Sequence, residues 1–136
     1  MLLSHRWISQ IAGFAPDPAE LADKLTFGGL EVDATRRVGA DLDRVVVGVV
    51  TEKRPHPGKP NLSCVSVDGG AGVFPVVCGA PNCPGPGGLV ALALVGAKVG
   101  EHVIESRELA GEPSLGMLCS ELELGVGPDH DGILLL

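Results

Sequence analysis

From Arg44 onward the chain is a series of short Val-rich runs broken by Gly and Pro, and this punctuation constrains the fold more than any other feature. The runs are 44–53, 62–68, Val73–Cys78, 89–95, 101–106 and 115–120. Residues 62–68 alternate as L-S-C-V-S-V-D, the period of a half-buried strand. Asp68-Gly69-Gly70 and Gly85-Pro86-Gly87-Gly88 read as tight turns. Gly48 inside the first run marks a bulge or a sharp bend. With 20 Gly and 11 Pro placed this way, the pattern predicts short strands in a small barrel or sandwich, not a low-complexity chain. The segment 54–61 is too Pro-rich for a ladder and is expected to be a surface loop.

The first 38 residues follow a different period. Trp7, Ile8, Ile11, Ala12 and Phe14 give one helical face. Asp17 can cap a second helix, Pro18 suits its first position, Glu20 is acidic in its first turn, and Gly28-Gly29 stop it. Leu21 and Leu25 share a face of that helix, and residues 30–34 alternate as a short strand would. The apolar side chains of this segment are expected to be partly exposed or covered by a second copy, a neighbour or the strands. Aromatic residues are only Trp7, Phe14, Phe27 and Phe74, so the core must be aliphatic. Val45, Val47, Val65, Val77, Leu92 and Leu118 are its candidates.

Charge limits the function classes. The formal net charge of -7 argues against a general electrostatic nucleic-acid binder. It is unevenly divided: residues 101–136 hold one basic and eight acidic side chains, whereas 45–100 are net positive. Lys53, Arg54, His56 and Lys59 form the one dense basic cluster. No apolar run reaches ~18 residues, so no membrane-spanning helix is expected. The first residues also lack the basic and apolar blocks of a signal peptide.

No catalytic constellation stands out: phosphate-loop and nucleophile-elbow motifs are missing, and no acid, base and nucleophile set is visible. The four cysteines, Cys64, Cys78, Cys83 and Cys119, include one C-x4-C pair without a second pair or a His partner. Buried cytosolic thiols are expected here, not zinc. Asp129-His130-Asp131-Gly132 reads as an acidic turn before a last strand at 133–136, because adjacent strand residues cannot converge on one ion.

Several runs, in order, carry a resemblance. They are Glu20–Thr26 with Gly29–Val32, Val45–Gly48, His56-Pro57, Val77-Cys78-Gly79-Ala80-Pro81-Asn82, Ser114-Leu115-Gly116-Met117-Leu118-Cys119-Ser120, and Asp129–Ile133. Together they resemble the start of the β subunit of bacterial phenylalanyl-tRNA synthetases over nearly the whole chain. The C-G-A-P-N and S-x-G-M-L-C-S pieces are specific in combination.

The resemblance implies a mainly β fold: a five-stranded antiparallel OB-fold barrel at 39–136, preceded by a two-helix segment at 1–38 that is half of a small helical domain. It implies a cytoplasmic tRNA-binding module that assists aminoacylation without a catalytic site. Its partners would be tRNA, the α subunit and the remaining β-subunit domains in an α2β2 assembly. ATP and Mg would serve the full enzyme but not this segment, and the chain would be an N-terminal piece or a truncated relative. The other reading is a structural and subunit-interaction module with little RNA contact. The expected RNA-binding residues are Lys53, Arg54, His56, Lys59, Asn82, Ser114 and Met117. The cations would meet phosphates, Asn82 and Ser114 would hydrogen-bond, and Met117 would offer apolar surface to a base. Met117 on a strand and Asn82 after Pro81 also read as core and turn residues. Where the family usually has an acidic residue and a Lys or Arg before the Leu, this chain has Pro60 and Asn61 before Leu62.

Overall fold

In the computed structural model, which describes residues 1–39 and 42–136, the chain forms two units, Met1–Arg37 and Val38–Leu136. Ala40 and Asp41, which the 39–136 domain includes, lie outside the described residues.

The first unit holds α1 (His5–Ala12) and α2 (Pro18–Phe27). Both start and stop where local chemistry dictates. The Ser4 hydroxyl accepts from Trp7 N–H, and Gly13 ends α1 in the left-handed conformation. Asp17 accepts from Ala19 and Glu20 N–H, Pro18 takes the first position and Gly28 caps α2. No residue of either helix is buried. Trp7, Ile11 and Phe14 are exposed, whereas Ile8, Leu21 and Leu25 are half-buried. The strand expected at 30–34 does not form. Val32 N–H instead donates to the Thr26 hydroxyl, and Leu30 N–H to the Leu25 carbonyl, so the segment folds back on α2.

The second unit is an antiparallel sheet of five strands in the order β3-β2-β1-β4-β9. These are β1 (Val45–His56), β2 (Lys59–Asp68), β3 (Val73–Cys78), β4 (Leu89–Leu94) and β9 (Gly116–Leu118). Between β4 and β9 lie two small hairpins, β5 (Lys98–Val99) with β6 (His102–Val103) and β7 (Arg107–Leu109) with β8 (Glu112–Ser114). They replace the single strand expected at 101–106. Turns at Gly100 and at Ala110-Gly111, all with positive φ, close the two hairpins. A last short helix, α3 (Glu121–Leu124), is held by a Ser120–Glu123 capping box. Residues 133–136 form only one bridge, Val90 with Leu135. No helix among the described residues is long and apolar enough to cross a membrane.

The expected loop at 54–61 is instead the tip of the β1–β2 hairpin, turned at Pro57-Gly58 with His56 opposite Lys59. The prolines are tolerated because the hairpin outreaches the sheet. β4 pairs β1 only over Val45–Val49, and β3 pairs β2 only over Ser63–Asp68. Pro55 and Pro60 therefore lie where one side of each strand has no ladder to satisfy.

The barrel interior is aliphatic, as expected. Val50, Val65, Val67, Val76, Val90, Leu92 and Leu118 pack with Cys78, Cys83 and Ile133. Val47 is 60% exposed, which corrects its place among the core candidates. The inward positions of β1 are Val46, Gly48 and Val50. Gly48 is the inward residue at a close approach: a Cβ there would meet Val67 Cγ1 at 2.5 Å. Val45 and Val77 are half-buried, and Val45 packs on a second core formed by Ala91, Ala93, Ala97, Val99, Ile104, Cys119 and Leu124. β4 serves both cores, with Val90 and Leu92 on one face and Ala91 and Ala93 on the other.

Candidate nucleic-acid interface

Strand alternation decides where the basic cluster goes. Directly opposed residues of an antiparallel pair share a face. Lys53 opposes Val65, and Val65 opposes Val76, so Lys53 stands on the core-facing side at the barrel's end. Its ammonium donates to the Cys83 carbonyl. Arg54 opposes Cys64, and Cys64 opposes Val77, which places Arg54 on the outer face. Glu52, Ser66 and Pro75 share that outer face by the same register. Lys53 and Arg54 therefore point to opposite sides of the sheet, and the basic residues do not form one patch. Lys59 is exposed beside the turn.

His56 is 4% exposed and spends both ring nitrogens on the backbone. Nδ1 accepts from Gly58 N–H at 3.0 Å, which fixes the turn. Nε2 lies 3.0 Å from the Leu109 carbonyl and donates to it, since Nδ1 is the acceptor. Arg54 reaches the same hairpin, with its guanidinium 2.6 Å from the Glu112 carboxylate. This contact holds the Glu112 carboxyl below its ordinary value, chiefly through the hydrogen bond from Arg54.

Asn82 and Ser114 act as surrogate backbone. The Asn82 amide donates to the Ile133 carbonyl at 2.8 Å and accepts from Ile133 N–H at 2.9 Å, as a paired strand residue would. A Cβ on Gly132, at φ 121°, would collide with that amide. The Ser114 hydroxyl accepts from Val77 N–H at 3.1 Å and donates to the Gly116 carbonyl at 3.2 Å. Next to it Leu115 N–H donates to the Pro75 carbonyl at 2.8 Å. These bonds bring β3 and the β8–β9 segment together and close the barrel. Met117 is half-buried against the second core.

A groove of about 340 Å³ lies along the outer face of β1, β2 and β3. Thr51, Glu52, Arg54, Cys64, Ser66 and Pro75 line it on the sheet, and Glu112 and Pro113 of the β7–β8 hairpin line its other wall. The sequence offered no signal for Glu112, whose partner Arg54 is 58 residues away. Cys64, 8% exposed, has its thiol raised above the ordinary value by burial, with Arg54 lowering it and Glu112 raising it. All four cysteines are free and buried. Cys78 and Cys83 both sit in the barrel core, and burial, then Cys78, pushes the Cys83 thiol up to about 11. Among the described residues no group of three or more His, Cys, Asp or Glu side chains could hold a metal ion.

The arrangement is a barrel with a groove on its outer face, flanked by the β1–β2 tip and the β7–β8 hairpin, the kind of layout that oligonucleotide-binding barrels use. A family model described as "Putative tRNA binding domain" matches residues 45–136, the whole of the sheet. Relatives are similar over the entire chain. The phenylalanine–tRNA ligase beta subunit of Syntrophus aciditrophicus is 44% identical over 137 residues, that of Geobacter metallireducens 43% over 137, and that of Nitratidesulfovibrio vulgaris 45% over 138. The match covers 100% of this chain and 17% of each of those proteins.

Proposed function

This chain belongs to the tRNA-binding domain family, and from that membership we propose that it serves as the tRNA-binding module of a phenylalanine–tRNA ligase beta subunit. The observation that carries this is the family match over residues 45–136, which spans every strand of the barrel. In this reading the module assists aminoacylation in the cytoplasm and has no aminoacylation site of its own. ATP and Mg act elsewhere in the ligase. The remaining β-subunit domains and an α subunit, in an α2β2 assembly, are its protein partners.

Binding is carried by the β1–β2 hairpin and the outer face beside it. Arg54 on that face, Lys59 beside the turn and Lys53 at the barrel's end supply the cations, and the acidic C-terminal residues repel phosphate. Asn82, Ser114 and His56 contribute by holding the shape of the face, since their polar atoms already bond the backbone. With few aromatic side chains for stacking, the module reads the shape and backbone of folded tRNA, not an unstacked strand.

The test is a titration of the chain with unfractionated tRNA at two salt concentrations. About three phosphate contacts give a slope of log affinity against log salt near about -2 to -3, hence a loss of about tenfold or more between about 50 and 200 mM. Replacing Lys53, Arg54 and Lys59 together by Ala should flatten that slope. If affinity and slope both survive the triple substitution, a different face binds. The net charge of -7 favours one other reading, a subunit-interaction module, and absence of binding at about 50 mM salt would select it.

A further inference from the structure

The outer-face groove has one wall that does not belong to the sheet. The β7–β8 hairpin stands over it, fastened to the β1–β2 tip by the Glu112 carboxylate on Arg54 and by the Leu109 carbonyl on His56. The two fastenings differ in kind. His56 is buried and its bond is sheltered, whereas the Arg54 side chain is 55% exposed. An ion pair in that position contributes little net stability, because water screens it. It also occupies the only guanidinium among the described residues that line the groove. A phosphate oxygen offers that guanidinium the same forked geometry as a carboxylate.

We propose that the β7–β8 hairpin is a latch over the groove, closed by Glu112 on Arg54 and released when a nucleic-acid phosphate displaces the Glu112 carboxylate. Glu112 is then an internal competitor that weakens phosphate binding at this face. The inference rests on the tRNA-binding reading of the face. It adds that the groove in the free chain is in its closed state, with Cys64 as its shielded floor.

Two measurements on the full chain test it separately. The first uses no nucleic acid. The rate of Cys64 modification by a soluble aromatic disulfide, read by peptide mapping, reports access to the floor. Glu112→Gln and Arg54→Ala should each raise that rate at least about threefold, with Cys78, Cys83 and Cys119 unchanged. An unchanged Cys64 rate in both variants overturns the latch, whether or not tRNA binds.

The second measurement is tRNA affinity at two salt concentrations. Glu112→Gln should bind about threefold or more tighter than the parent chain with the same salt slope, because the bound complex makes the same phosphate contacts once the carboxylate is displaced. The gain should vanish in the Arg54→Ala background. Glu108→Gln, on the same hairpin and with the same change of charge, should not reproduce the gain. A gain that persists without Arg54, or that Glu108→Gln reproduces in full, overturns the displacement mechanism in favour of bulk charge. Faster Cys64 modification in a chain that binds no tRNA in any variant supports the latch and overturns the tRNA-binding reading.

Discussion

The helical unit and the barrel teach opposite lessons about what holds a structure together. In Met1–Arg37 every element boundary has a local cause: Ser4 and Asp17 cap, Pro18 starts, Gly13 and Gly28 stop. Yet neither helix contributes a buried residue. In Val38–Leu136 few boundaries have local causes, but the unit contains every fully buried hydrophobic side chain described. Capping chooses where a helix begins, whereas burial decides whether the chain around it is stable.

The sharpest way to break this comparison is to truncate one large side chain in each unit. Leu92→Ala should destabilise the chain by about 2–5 kcal/mol in urea unfolding, because Leu92 is fully buried in the barrel interior. Trp7→Ala should shift the same midpoint by less than about 0.5 kcal/mol, as expected of an exposed position. A comparable loss at Trp7 would show that the helical unit is covered in solution.

The surrogate-backbone residues come next. Asn82→Ala removes two bonds to Ile133 and should cost about 1–3 kcal/mol, because part of a backbone pairing is left unmet. Loss of tRNA affinity in that variant should follow the loss of fold and leave the salt slope unchanged. Asp17→Ala should lower the helical signal in circular dichroism by weakening α2 alone, at about 0.5–2 kcal/mol for a lost cap. Barrel unfolding should not move with it.

Two pH dependences are the mildest effects. Burial raises the Cys83 thiol to about 11 and the Cys119 thiol to about 12. The unfolded chain releases these protons first, so barrel stability should be complete at neutral pH and fall as pH climbs above the ordinary thiol range. Thermal melts across alkaline pH measure it, and a flat profile would contradict the burial. Glu112 behaves in the opposite sense. Its carboxyl is held low by Arg54, so the latch is complete above the ordinary carboxylate range and opens as pH falls through the depressed value. Amide exchange of the β7–β8 hairpin against pH reports that opening.

Much of this architecture was legible in the sequence wherever the cause was near in the chain. The cap at Asp17-Pro18 and the turn at Asp68-Gly69-Gly70 needed only neighbouring residues. The parity of β1 did not, because a run of Val on both faces carries no alternation, and the inward residue is the Gly that Val67 crowds. Pro55 and Pro60 read as loop residues because the open edges that admit them exist only once β3 and β4 are known to stop short. The candidate interface shows the same limit. Asn82 and Ser114 were singled out, but the partners that occupy them lie 51 and 37 residues away. Glu112 reads in the sequence as one more acid in an acidic stretch, and only the fold puts Arg54 beside it.

The double duty of β4 has a consequence for how the molecule comes apart. Val90 and Leu92 fill the barrel while Ala91 and Ala93 floor the second core, so neither core can shed its centre and leave the other whole. A partly melted intermediate with one core intact has no strand to stand on. The unit should therefore open in a single step, with the slowest-exchanging amides along Leu89–Leu94, and its fraying should start at β7, whose residues are all exposed.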